Sequence, residues 1–91
     1  MQLESDTPTI RTLYAETIKE SAYTKALTEA YEDALVDYNL AASLLEPYVV
    51  DIPEYNYVLA MIVTNRGATY AALQEHQKLI ANFERGTALL M

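Results

Sequence analysis

The chain has 91 residues, of which 52% are hydrophobic, and it carries a net charge of −7 and no cysteine. This length indicates one domain, and so apolar a composition, with only two glycines and three prolines, excludes a disordered chain. Disulfides and thiolate metal sites are excluded as well. The longest apolar run, 57–63, is much shorter than the ~20 residues that span a bilayer. With no signal-like start either, we expect a soluble, cytoplasmic protein without a membrane span.

The charge is distributed unevenly along the chain. Residues 1–54 contain eleven Asp and Glu against three Lys and Arg, a net charge of −8, whereas residues 55–91 carry +1. Phosphate binding needs clustered Lys and Arg, so we expect no nucleic-acid partner. A basic peptide or a basic protein face is the better electrostatic match.

Two helices are predicted in the first half. Asp6-Thr7-Pro8 is a typical helix start, because Asp or Thr caps free N–H groups and Pro suits the first turn. Apolar residues then recur at helical spacing, which predicts a helix over 8–27. After a turn near 28–30, a second apolar stripe predicts a helix over 31–46, which ends before Pro47 because the residue before Pro avoids helical geometry.

Two more helices are predicted in the second half, over 53–73 and 76–90. The segment 55–63 is apolar nearly all round, which is typical of a helix that is buried on several sides or that carries a partner. Phe83 lies on the apolar face of the last helix, and we expect it to anchor the core between the two halves. The prediction is an all-α fold with one domain, 1–91, built from a first hairpin, 8–46, and a second, 53–90.

An offset of 45 residues relates the two halves, since it places Gly67 on Ala22, Phe83 on Tyr38 and Leu90 on Leu45. The segment 65–90 resembles helix A, the turn and helix B of a tetratricopeptide repeat (TPR). Gly67 and Ala22 match the small residue of helix A in that family. Phe83 and Tyr38 match the aromatic of helix B.

The resemblance implies a short right-handed solenoid of stacked antiparallel hairpins. The unit departs from the family in length, since 45 residues exceed the ~34 of a TPR, and it is closer to longer-helix relatives such as those of kinesin light chains. Glu29 and Gln74 occupy the tight turns, where a more permissive residue is usual. The alternative is an antiparallel bundle of three or four helices.

No enzyme signature is present. A Ser–His–Asp arrangement would have to use His76, the one histidine, and the chain has no Gly-rich nucleophile turn. A di-metal carboxylate bundle needs two Glu-x-x-His pairs, and there are none. We therefore predict no catalytic residue, no cofactor and no metal site.

Eight tyrosines are available for packing or binding. Four lie on predicted core stripes: Tyr14, Tyr31, Tyr38 and Tyr70. Four are harder to bury together and are candidates for a contact surface, for which Tyr is well suited: Tyr23, Tyr48, Tyr55 and Tyr57.

The TPR resemblance also implies a binding face, since these repeats hold peptides on the inner face of helix A. Lys19 and Asn65 match two positions of the carboxylate-clamp members, and Tyr23 replaces a clamp Asn. The full set of candidate protein-binding residues is Lys19, Tyr23, Tyr55, Tyr57, Met61, Asn65, Leu89 and Leu90.

The resulting hypothesis is a protein–protein interaction module, a small adaptor or chaperone-like subunit that binds a peptide or helix. Alternatives are a self-assembling structural subunit and an acidic inhibitor that covers a basic site. The sequence ends in an apolar segment, 88–91, without a polar capping helix, and terminal repeats need a polar outer face. We therefore expect a homodimer or a hetero-complex through the third and fourth helices, unless the first helix covers their surface.

Overall fold

A computed structural model describes residues 8–91 of the chain. The four α-helices in this part are α1 (Pro8–Leu27), α2 (Tyr31–Leu45), α3 (Glu54–Ala72) and α4 (His76–Leu90). A short 3-10 turn, Glu46–Tyr48, follows α2, and no strand occurs among the described residues. The predicted all-α class is confirmed, and every predicted helix end lies within one residue of the observed one. The predicted capping by Asp6 or Thr7 lies outside the described residues.

The turn between α1 and α2 closes the first helix with two backbone hydrogen bonds. The N–H of Ala30 donates to the carbonyl of Lys25 at 2.9 Å, and that of Glu29 to Ala26 at 3.0 Å. This pattern is a Schellman motif, in which the residue after the helix takes a left-handed conformation. Glu29 accordingly has a φ of 66°.

The turn between α3 and α4 repeats this geometry 45 residues later. The N–H of Glu75 donates to the carbonyl of Tyr70 at 2.9 Å, and that of Gln74 to Ala71 at 2.9 Å. Gln74 has a φ of 61°. Each pair of helices is thus folded back by the same tight turn, and in both cases a residue with a Cβ holds the left-handed position that Gly usually takes.

Small residues let the helices of each hairpin approach closely. In the first hairpin the contact is built from fully buried alanines: Ala15, Ala22, Ala34 and Ala41. In the second, a methyl group on Gly67 would lie 2.9 Å from Cδ1 of Phe83 and 3.0 Å from Cβ of Asn82. A side chain at position 67 would therefore push α4 away from α3.

Polar side chains cross each hairpin at equivalent positions. In the first, the Ser21 hydroxyl donates to Oδ2 of Asp37 at 3.0 Å, and Lys25 Nζ lies 2.8 Å from the same oxygen. In the second, Arg66 Nε donates to Oδ1 of Asn82 at 2.7 Å. The hydrogen bond from Lys25 holds the pKa of the Asp37 carboxyl below its usual value, and the same bond raises the pKa of Lys25.

The third helix joins the two hairpins, since α3 packs against α4, α2 and α1. Tyr55, Leu59, Ile62 and Val63 on this helix are fully buried, as the apolar run predicts for a helix covered on several sides. The main contact of α4 is with α3, so the first helix does not cover the outer side of α4.

Two expected core aromatics are on the surface instead. Phe83 is 44% exposed, whereas Tyr38, its counterpart in the first hairpin, is 1% exposed. The prediction that Phe83 anchors the core is wrong, because α3 covers the outer side of α2 and no described helix covers the outer side of α4. Tyr14 is exposed as well, because α1 turns Ala15 and Ala22 toward the core.

Candidate protein-binding surfaces

One side of α3 stays uncovered along the whole helix. Its exposed residues follow each other at spacings of three and four, which places them in one row: Tyr57, Met61, Thr64, Ala68 and Ala72. Tyr57 is 63% exposed although it follows the buried Tyr55 by only two positions. The row is mainly apolar, and it faces away from the core.

On the first helix, Tyr23 and Leu27 are both exposed and lie about one helical turn apart. The buried Tyr38 of α2 interacts with residues of both α1 and α3. Burial raises the pKa of its hydroxyl, and hydrogen bonding by Thr69 and Asn65 of α3 opposes this shift. Tyr23 and Glu20 of α1 lie close enough to raise the pKa of Tyr38 further. The structure therefore brings Tyr23 and Asn65, two predicted binding residues, to one site.

We name this region the α1–α3 surface. It consists of Lys19, Tyr23, Leu27, Tyr57, Met61, Asn65, Ala68 and Ala72. Lys19 and Asn65 are half-buried at its floor, and Lys19 Nζ lies 3.5 Å from a carboxylate oxygen of Glu20. Five of the eight predicted binding residues belong to this surface.

The other three predicted binding residues lie elsewhere. Tyr55 is buried, with its ring edge-to-face on Tyr48 at a centroid distance of 6.4 Å, and burial raises the pKa of its hydroxyl. Tyr55 is therefore a core residue and not a contact residue. Leu89 packs against the core from α4, whereas Leu90 is exposed.

Leu90 belongs to a second uncovered region, the outer side of α4. We name it the C-terminal face, and it consists of Ile80, Phe83, Thr87 and Leu90. A shallow depression beside Phe83 and Thr87 continues to Met91. The opposite side of α4, with Asn82 and Gly86, is buried against α3.

A third uncovered region lies on the outer side of α1. We name it the N-terminal face, and it consists of Ile10, Leu13, Tyr14 and Thr17, which together line a shallow depression. Leu13 and Tyr14 are more than half exposed. This face is not predicted from the sequence, because the apolar residues of α1 have the spacing of a core stripe. The 45-residue offset relates the face to a buried part of α3 and is the signal that could have found it.

The described residues hold no group of three or more His, Cys, Asp or Glu side chains placed to bind a metal ion. His76 is exposed at the start of α4. No helix in residues 8–91 has the length and apolar character needed to cross a membrane.

A comparison with protein-family models finds no match, and neither do comparisons with curated proteins and with solved structures. The TPR resemblance therefore stays a prediction.

Proposed function

We propose that the protein is a protein-binding module, a small adaptor or chaperone-like subunit whose α1–α3 surface holds a helix or peptide of a partner protein. The observation that carries the proposal is the exposure of four large apolar side chains on this surface: Tyr23, Leu27, Tyr57 and Met61. Contiguous exposed apolar side chains are a common mark of an interaction site.

The residue types on this surface suit binding. Tyr23 and Tyr57 offer large, stiff apolar rings with a hydroxyl that can stay hydrated, and such aromatics dominate many interfaces. Met61 adapts to irregular partner side chains. The exposed Ala68 and Ala72 have small side chains, which leave room for a partner segment to lie along α3.

The charge around the surface selects the partner's chemistry. Glu16 and Glu20 lie on α1 beside Lys19, and residues 1–54 carry a net charge of −8. A partner segment that places apolar residues on the tyrosines and Lys or Arg at its flanks would be steered toward this side.

The repeat-like construction supports a binding scaffold of the TPR kind. The two turns have the same hydrogen bonds 45 residues apart, and the crossing bonds Ser21–Asp37 and Arg66–Asn82 occupy equivalent positions. In such an arrangement the first helices of successive hairpins, here α1 and α3, line one continuous surface.

The test compares proteins that co-purify from the native host with the tagged chain and with a Tyr23→Glu, Tyr57→Glu double variant. Val36→Glu is the matched control, since Val36 is 65% exposed on α2, close to the 63% of Tyr57, and lies outside the α1–α3 surface. The affinity of each recombinant partner is then measured by calorimetry at low and high salt.

A true partner is expected to be retained by the wild type and the control and lost from the double variant, with weaker binding at high salt. Partners that bind all three proteins equally would refute the assignment of the α1–α3 surface.

A further inference from the structure

The C-terminal face has a covered counterpart inside the molecule. The offset of 45 residues places its four residues on four residues of α2: Leu35, Tyr38, Ala42 and Leu45. The two sets are chemically similar, with an aliphatic, an aromatic, a small and an aliphatic residue in the same order. All four α2 residues are buried, because α3 packs over the outer side of α2. The C-terminal face is therefore the same kind of surface without its cover.

The N-terminal face has a counterpart in the helix that provides this cover. The same offset places its residues on four buried residues of α3: Tyr55, Val58, Leu59 and Ile62. Leu13 matches Val58 and Tyr14 matches Leu59, so large apolar residues stand at both positions in each helix. The outer side of α1 thus resembles the side of α3 that packs toward the first hairpin.

The chain therefore has two exposed faces that resemble the two sides of its internal contact between α2 and α3. The N-terminal face resembles the α3 side, and the C-terminal face resembles the α2 side. We propose that copies of the protein associate head to tail: the N-terminal face of one copy packs on the C-terminal face of the next and repeats the contact of α3 with α2. The occupant of each face is a second copy of this chain.

The charge distribution disfavours the symmetric pairing of two N-terminal faces. Pairing two N-terminal faces would bring together two halves that each carry −8, whereas head-to-tail pairing joins a half of −8 to a half of +1. Like charges at an interface oppose association. The contact is heterologous, so it leaves one face open at each end and adds copies until a ring closes or the concentration limits growth. It uses neither Tyr23 nor Tyr57 and is independent of the proposed partner binding.

The experiment uses sedimentation velocity with two variants, each altered at one face. The N-face variant carries Leu13→Asp and Tyr14→Asp, and the C-face variant carries Ile80→Asp and Leu90→Asp. All four side chains are exposed, so the fold should be retained, and circular dichroism and thermal melts check this. Val36→Asp is the control for an added carboxylate on an exposed apolar position outside both faces.

The mean mass of the wild type and of the control is expected to rise with concentration. Each single-face variant alone is expected to stay monomeric at concentrations at which the wild type associates. Its association should be weakened roughly tenfold or more, because two contact residues are lost. An equimolar mixture of the two variants should form a dimer and nothing larger, since each supplies the face that the other lacks.

Three results would overturn the proposal. A wild type that stays monomeric up to its solubility limit shows that the faces do not meet. A dimer formed by the N-face variant alone shows symmetric pairing of α4 with α4. A folded pair of variants that gives no dimer on mixing shows that the two faces are not complementary.

Discussion

Replacing Tyr38 and Phe83 by alanine, one at a time, compares two equivalent aromatics in different surroundings. Tyr38 is 1% exposed and lies between α2 and α3, so Tyr38→Ala leaves a cavity that neighbouring side chains fill only partly. Such truncations of buried aromatics cost roughly 3–5 kcal/mol of unfolding free energy. Tyr38→Phe removes only the hydroxyl that interacts with Thr69 and Asn65, and it should cost about 1 kcal/mol.

Phe83→Ala should cost much less. Full burial of such a side chain is worth roughly 1.5–3 kcal/mol, and Phe83, at 44% exposure, has a little over half of that to lose. Its site is open to water, so no closed cavity forms, and the expected cost is about 1–2 kcal/mol.

The measurement is urea unfolding followed by far-ultraviolet circular dichroism, at a concentration low enough to keep every variant monomeric, because association would add stability. The slope of the free energy against urea should be the same for all variants, which supports comparison of their midpoints. Equal losses for Tyr38→Ala and Phe83→Ala would refute the reasoning, since both aromatics would then be equally buried.

Three further predictions concern the turns, the helix contacts and pH. Glu29→Gly and Gln74→Gly should each raise the unfolding free energy by about 0.5–1 kcal/mol in thermal melts by relieving the left-handed backbone, whereas alanine at either position should give no gain. Gly67→Ala should cost about 1–2 kcal/mol in urea unfolding, because the added methyl group meets Phe83 and Asn82. Gly86→Ala should be neutral or slightly stabilising, because the atom closest to its added methyl group is the hydroxyl oxygen of the exposed Thr64. The lowered pKa of Asp37 means that its carboxylate stabilises the fold above pH ~4 and loses this effect as the pH falls through its folded-state pKa, so Asp37→Asn should make acid unfolding less steep.

Much of the local structure could be predicted from the chain itself. Pro8, Pro47 and Pro53 lie at or next to helix ends, and the apolar periodicity between them gives the helix lengths. These signals are local, because a proline restricts its own backbone and that of its neighbour wherever the rest of the chain lies. The offset of 45 residues can also be predicted from the sequence, because residues of similar size recur at matching positions.

The candidate site was predictable in part. Tyr23, Tyr57, Met61 and Asn65 were identified from composition and from a family resemblance, and they lie on one surface. Tyr55 was assigned to the same surface, although it lies two positions before Tyr57 and therefore points to another side of α3. Helical geometry places Tyr55 and Tyr57 on different sides of α3. Because α3 is apolar nearly all round, its sequence does not indicate which of these sides is covered by other helices.

Local signals along the chain are enough to place the helix ends and to identify the residues that form an apolar stripe on each helix. Which of these stripes is covered by a neighbour depends on how the helices pack together. Tyr38 and Phe83 have equivalent positions in their helices, yet α3 covers the first and no described helix covers the second. The apolar periodicity of a helix shows which residues can pack against a neighbour. Whether those residues are buried depends on whether another helix packs against them, which is a property of the whole fold.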